Sequence, residues 1–415
     1  MISMKLLVLS NNPISECGSN GRTILNLLLN FKEEDICNIF INGQLGDTGK
    51  RKYYRVKEKN LLKHKKPYLS QVKNAPEIVI STAKRVNKTP LKCLVRSLVW
   101  ENKSLYKEIL TVAKSFSPNA ILIQCGDSDF LIKIANFLSK VLNKPLISFN
   151  SEDYIFKKWD YLSRKQHMSV AFKAFMSRLI KAYNDLYKVA SGHIYLTSGL
   201  QKEYLTKYPG HRSIVLYNSS TLCAVTHYFS DGDVVYSGNL GVGRLDTLVK
   251  LSKIIFELSG KRVVVCSNTI DERATKIASD CPYFDYRGSL SYADNVEVLK
   301  RAKLLLHIES FEEYYLSDTK NAFSTKIADS LRLGIPLFVL APRSSYVYSY
   351  FDNNKSCFLS DNLVEAKKIL ENILLNKELL EEKGKLGSRI GKLNHDASAN
   401  SKIFVSFLED VCYDV

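Results

Sequence analysis

Residues 323–340, reading FSTKIADSLRLGIPLFVL, admit very few local structures. Ser324 is a helix N-cap type, and Thr325 to Leu333 predicts a short helix with Ile327 and Leu331 one turn apart on an apolar face. Gly334 falls where a left-handed cap is wanted, Pro336 stops the helix, and 337–340 is an apolar run of the buried-strand type. Helix, tight turn and buried strand in this order are half of a parallel α/β unit. The start of such a helix carries free N–H groups and the positive end of the macrodipole, which suits a phosphate. Lys326 adds a full charge there, and Asp329 lies one turn after Thr325, within reach of a ribose or sugar diol. A capped helix with a solvated Lys and Asp satisfies the same pattern.

The alternation runs along the whole chain. Residues 5–10 (KLLVLS) predict a strand, 11–21 a polar loop with Gly18 and Gly21, and 22–31 a helix. The glycine spacing is not G-x-G-x-x-G, so it is a weak dinucleotide signal. A strand is predicted at 37–42. Residues 50–66 are crowded with Lys and Arg and read as a surface loop or insert; 75–87 give no assignment. Residues 91–107 predict one amphipathic helix, with leucines, valines and Trp100 opposite Lys92, Arg96, Lys103 and Lys107. That pattern fits either an interfacial helix or one packed on the core. Strands follow at 120–124, 145–149, 193–197 and 214–217, with helices at 130–142 and 169–190. A change of composition at 219–232 predicts a linker. The second half alternates again: strands at 234–236, 262–266 and 304–307, helices at 244–258, 292–302, 361–383 and 398–412. The expected domains are 1–218 and 233–397, joined by 219–232. Ligands of open α/β sheets sit beyond the carboxyl ends of strands, which places Gly126, Glu152 and Asp153 at a cleft.

Composition narrows the class. A chain of 415 residues suits two domains, and 45% hydrophobic residues supply ordinary cores. No apolar run reaches the ~18 residues of a membrane span, and the amino terminus lacks a signal-peptide pattern. The nine Cys are scattered without a C-x-x-C pair, the usage of a reduced, cytosolic protein. Charge is uneven. Residues 1–215 hold 35 Lys and Arg against 16 Asp and Glu, a net of +19; the remainder holds 24 against 26, a net of −2. A one-sided basic domain predicts an anionic partner. Nucleic acid is disfavoured, because the basic stretch lacks interleaved aromatic platforms and any nucleic-acid-binding motif.

The segment 323–340, the run 236–244 (YSGNLGVGR) and the amino-terminal residues 5–29 together resemble GT-B glycosyltransferases, particularly the family-4 type of bacterial surface-polysaccharide synthesis. The resemblance covers nearly the whole chain in order. It implies an α/β protein of two Rossmann-like domains facing across a cleft, with the terminal helix 398–415 crossing back to the first. It implies a nucleotide-sugar transferase, retaining, using no bound metal. Gly238, Asn239, Gly241, Gly243, Ser324, Thr325 and Asp329 are then donor-binding residues, with Asp329 at the ribose. Arg244, Lys326 and Glu309 become catalytic candidates, and Asn12, Gly18, Gly21, Arg22, Gly126, Glu152 and Asp153 line the acceptor side.

Two departures stand out. Asn239 occupies the place of one of two family cations, for which Lys326 is the candidate to compensate, and Asn321 that of the first of two paired acids; the nearby acids are Glu309, Glu312 and Glu313, of which Glu309, beyond the strand ending at His307, is best placed to point into the cleft. No His, Asp or Glu cluster has metal-ligand spacing. The expected activity is transfer of a sugar from a nucleoside diphosphate to a saccharide or lipid-linked saccharide in polysaccharide synthesis. The expected place is the cytosol, at the inner membrane face, with peripheral contact to anionic lipid. The rival reading is a non-catalytic GT-B-like subunit that binds a partner enzyme or membrane.

Overall fold

The computed structural model describes residues 4–43, 45–46, 48–72, 88–163, 165, 167–269 and 271–413. It divides into two compact units, residues 1–217 with 398–415, and residues 218–397. Residues 218–232 thus cluster with the second unit.

The first unit is built on eight strands: β1 (Leu6–Ser10), β2 (Ile36–Phe40), β3 (Lys52–Val56), β4 (Leu69–Val72), β5 (Ala120–Gln124), β6 (Leu146–Asn150), β7 (Gly192–Tyr195) and β8 (Ser213–Val215). Their order is β4-β3-β2-β1-β5-β6-β7-β8, parallel throughout except for the antiparallel β3–β4 pair. β1, β2, β5 and β6 are buried at every residue, as central strands covered on both faces must be. The helix Ala397–Tyr413 belongs to this core: the Ser401 hydroxyl donates to the Leu27 carbonyl at 2.8 Å, and Phe404 packs on Phe31 with ring centroids 5.9 Å apart.

Three sequence expectations in this unit are corrected. The basic run 50–66 is not a surface insert, because residues 52–56 form β3, in which Tyr53 and Val56 are buried while Lys52 and Arg55 are exposed. Tyr53 also donates to the Ile14 carbonyl at 2.7 Å. The two buried residues are three apart, so no apolar alternation of period two marks this strand in the sequence. Residues 91–107 form two helices, Pro90–Val99 and Lys103–Phe116, because the Asn102 side chain caps the second by accepting from the amides of Ser104 and Leu105. Trp100 at the break is 1% exposed. It stacks on Phe130 at 4.2 Å and donates its indole N–H to Glu58 at 2.8 Å, so it is a core residue and not a membrane anchor. Residues 75–87 lie outside the described residues.

The second unit has six parallel strands: β9 (Asp233–Ser237), β10 (Val263–Cys266), β11 (Phe284–Gly288), β12 (Ala302–Ile308), β13 (Leu337–Leu340) and β14 (Phe358–Ser360). Their order, β11-β10-β9-β12-β13-β14, reverses direction between β9 and β12. The expected helix 361–383 is also two, Leu363–Ile373 and Lys377–Asn394, with Asn376 capping the second. In each unit the crevice beyond the point of reversal, β1/β5 and β9/β12, is where an open α/β sheet holds a ligand.

Candidate active site

In the second unit the loop after β9 and the loop after β12 meet at the reversal. The first carries Gly238 to Arg244. Val242 and Gly243 are both left-handed, at φ 53° and 74°, and Arg244 opens the helix Arg244–Ser259. A left-handed β-branched valine is strained, and left-handed Gly243 followed directly by the right-handed Arg244 turns successive N–H groups to one side, a concavity that suits an anion. Gly243 admits no other residue: a Cβ there would stand 2.3 Å from Ser310 Oγ and 2.7 Å from Tyr315. Asn239 is spent on the loop itself, its side-chain oxygen accepting from the Gly241 amide at 2.7 Å, while its carbonyl accepts from the Tyr236 hydroxyl at 2.8 Å.

Glu309 stands just beyond β12 and is 3% exposed. One carboxylate oxygen accepts from Arg244 Nη2 at 2.7 Å and Nε at 3.2 Å; the other accepts from His307 Nε2 at 2.9 Å. Burial alone would push this carboxyl up, but Arg244 and His307 outweigh it and hold it at about 2. Glu309 is therefore ionised and occupied on both oxygens. Its geometry suits fixing the Arg244 guanidinium across the reversal more than touching a substrate.

The helix Thr325–Leu333 links β12 to β13, so its start lies at the same carboxyl edge. Ser324 caps it by accepting from the Lys326 amide at 3.3 Å, and left-handed Gly334 closes it. The preceding Phe323 sets its direction: the ring stacks on His395 at 5.6 Å with 3° between planes, and its carbonyl accepts from Asn218 at 2.7 Å. Asp329 is buried, with the Tyr292 hydroxyl donating to it at 3.3 Å. Tyr292 opens the helix Tyr292–Lys300, which Ser237 at the end of β9 ties down through Asn295 at 2.7 Å.

Sequence reasoning passed over Tyr292, Phe323 and His395 as parts of this site. Tyr292 follows the N-cap type Ser291, the one local signal that places it at a helix start.

In the first unit, Asn12, Gly18 and Gly21 line one cavity of about 240 Å³ together with Pro13, Ser15 and Cys17. A Cβ on Gly21 would lie 2.3 Å from the Pro13 carbonyl oxygen, which is why the loop can fold onto the helix Ser19–Leu27. Arg22 is on that helix, outside the lining. Asn11, at the end of β1, accepts from Ser128 at 2.9 Å across the reversal to the β5 loop that holds Gly126. Glu152 and Asp153 stand apart from these, beyond β6. Glu152 is exposed, while Asp153 is buried and paired with Lys157 at 2.7 Å. Among the described residues no group of three or more His, Cys, Asp or Glu is arranged to hold a metal ion.

No protein-family model and no curated sequence matches the chain. Solved structures do match over its full length. Anabaena HepE, crystallised in complex with UDP-glucose, is 12% identical with a TM-score of 0.62, over 98% of this chain and 100% of that one. Sucrose-phosphate synthase from Thermosynechococcus elongatus is 10% identical with a TM-score of 0.66, over 99% and 100%. TarM is 11% identical with a TM-score of 0.62, over 98% and 99%. At these identities the likeness is one of fold, and the chain has the GT-B fold.

Proposed function

We propose that the protein is a glycosyltransferase that moves a sugar from a nucleoside diphosphate to a saccharide or lipid-linked saccharide acceptor. The observation that carries this is the convergence of an anion-binding loop, an ion-paired Arg244 and the Ser324–Lys326 helix start on one sheet edge, beside the buried acid Asp329. Nucleotide-sugar transfer needs donors for a diphosphate whose charge rises as the sugar leaves, and an acid for the ribose diol. The loop amides 238–243, Arg244 and Lys326 supply the first, with Ser324 and Thr325 at the helix start; Asp329, oriented by Tyr292, supplies the second. Glu309 and His307 hold Arg244 in place, so that little reorganisation accompanies the change of charge. HepE, with the same fold, has been crystallised with UDP and with UDP-glucose, which supports uridine nucleotides as first candidates. Positive charge from the chain takes the part a metal plays elsewhere. The acceptor side is assigned to Asn12, Gly18, Gly21 and Arg22, with Gly126, Glu152 and Asp153 on the neighbouring loops. Retention of anomeric configuration, a hexosyl donor of family-4 type, a role in polysaccharide synthesis, and work at the cytoplasmic face of an anionic membrane complete the reading. Calorimetry with UDP and UDP-glucose, followed by product analysis with candidate acceptors, tests it. Saturable binding with sugar transfer is expected. Binding without transfer or hydrolysis would favour a non-catalytic subunit, and no nucleotide binding would refute the donor site.

A further inference from the structure

The helix Thr325–Leu333 is held at both ends by the same two stretches of chain. The chain passes from the first unit to the second at Tyr217 and Asn218, and back at Ala397 and Ser398. The two stretches are joined to each other: the Ser220 amide donates to the His395 carbonyl at 2.9 Å, and the Ala397 amide to the Ser220 carbonyl at 3.2 Å. Ahead of the helix, the Asn218 side chain donates to the Phe323 carbonyl at 2.7 Å, and His395 stacks on the Phe323 ring. At the other end, Arg332 donates from Nε to the Leu222 carbonyl at 2.9 Å and pairs through Nη2 with Asp396 at 3.0 Å. The Val225 amide donates to the Leu333 carbonyl at 2.9 Å.

These ties are stiff. His395 is fully buried and both its ring nitrogens are engaged. A carbonyl can only accept, so Nδ1 carries a proton and donates to the Asn218 carbonyl at 2.6 Å. In the neutral ring Nε2 then accepts from the Tyr350 hydroxyl at 2.8 Å, and that hydroxyl accepts from the Asn394 amide at 2.9 Å. A buried polar network with its members satisfied rigidifies and specifies one arrangement. Arg332, in the last turn, also meets the negative end of the helix dipole. A Cβ on Gly391 would lie 2.7 Å from the Leu331 carbonyl oxygen, so the helix Lys377–Asn394, which leads into His395, lies directly against the shorter one. A shift of the helix start therefore moves Phe323, and with it both stretches.

We propose that His395 and Arg332 are positioning residues of the donor site, which couple a nucleoside diphosphate at Ser324–Lys326 to the order of the two stretches, 218–225 and 394–397, that carry the chain between its units. This rests on the donor site proposed above. A phosphate at the helix start takes up the free N–H groups there and holds that end in place. Phe323, one residue ahead of the Ser324 cap, is gripped by Asn218 from one stretch and His395 from the other, so nucleotide and stretches favour the same arrangement. Such coupling is reciprocal: what the nucleotide adds to the order of the stretches, their order adds to nucleotide affinity.

The test is hydrogen exchange of the full chain with and without UDP at about 100 times its dissociation constant, that constant being measured by calorimetry on the same protein. Exchange at the Ser220, Val225 and Ala397 amides should slow by up to about 100-fold, the limit set by that excess of ligand. The helix Glu272–Asp280, which shares none of these contacts, should exchange alike in both samples. Arg332→Gln and His395→Asn should each reduce the slowing to under about 10-fold. A purely structural role would speed exchange in the variants yet leave the ratio with and without UDP as in the wild type, and that outcome would overturn the inference. UDP binding that leaves the wild-type amides unchanged would overturn it too, whether or not the variants fold. The same holds for UDP binding that slows the whole second unit uniformly, because the nucleotide would then oppose global unfolding alone. Absence of UDP binding to the wild type would refute the donor site itself, and this coupling with it.

Discussion

Replacing Glu309 by Gln keeps the shape of the side chain and removes its charge, leaving Arg244 without its partner in the crevice beyond β12. The size of the effect follows from the carboxyl's displacement. It is held at about 2 against an ordinary 4.5, and at roughly 1.4 kcal/mol per unit this is about 3 kcal/mol of stability in the ionised form. Breaking a buried pair from one side costs a similar ~3–5 kcal/mol. The sign is set by the lowered folded value: the contribution is complete above about 4.5 and is lost as pH falls towards 2. Both tryptophans, Trp100 and Trp159, belong to the first unit, so intrinsic fluorescence does not report on this region. Native-state hydrogen exchange at the β12 and β13 amides does. Their opening free energy in Glu309→Gln should fall by about 3 kcal/mol at pH 7, an acceleration of roughly 100-fold, and the gap from wild type should close to under about 1 kcal/mol near pH 2.5. A gap that stays constant between pH 7 and 2.5 would show that lost packing, not the ion pair, is responsible.

Lys326→Ala should weaken UDP binding by roughly 1.5–3 kcal/mol in calorimetry, the range of a charge-assisted contact; unchanged affinity in the folded protein removes Lys326 from the donor site. Arg244→Ala should reduce turnover more than it raises the donor KM, because the charge it faces develops in the transition state. If KM alone rises, Arg244 is a ground-state binder. Burial, with help from Arg332 and against the Asn218 carbonyl, lowers the His395 imidazole from 6.5 to about 4. The unfolded chain therefore takes up this proton first, and protection at the β12 and β13 amides should decline between pH 6.5 and 4. That decline should flatten in His395→Asn; an identical profile in the variant would assign it to other groups.

Local signals carried a great deal. The helix Thr325–Leu333 with its Ser324 cap, its Gly334 ending and the strand Leu337–Leu340 were legible because caps, periodicity and proline stops act within a few residues. The alternation of apolar strands with helices likewise exposed the parallel strands at the centre of both sheets, since strands covered on both faces must be apolar throughout. What only the tertiary structure decided are the pairings between distant residues. Glu309 meets Arg244 across 65 positions, and Trp100 meets Glu58 across 42. β3 was missed because Tyr53 and Val56 count as core only once β2 and β4 lie beside them. Trp100 shows the limit most clearly. A tryptophan among leucines and lysines reads the same whether it enters a bilayer or stacks on Phe130, because amphipathicity records that a face avoids water and not what covers it. Which leucines remain uncovered is a property of the packed first unit, and there the stripe Leu91, Val95 and Leu98 stays in solvent while Trp100 does not.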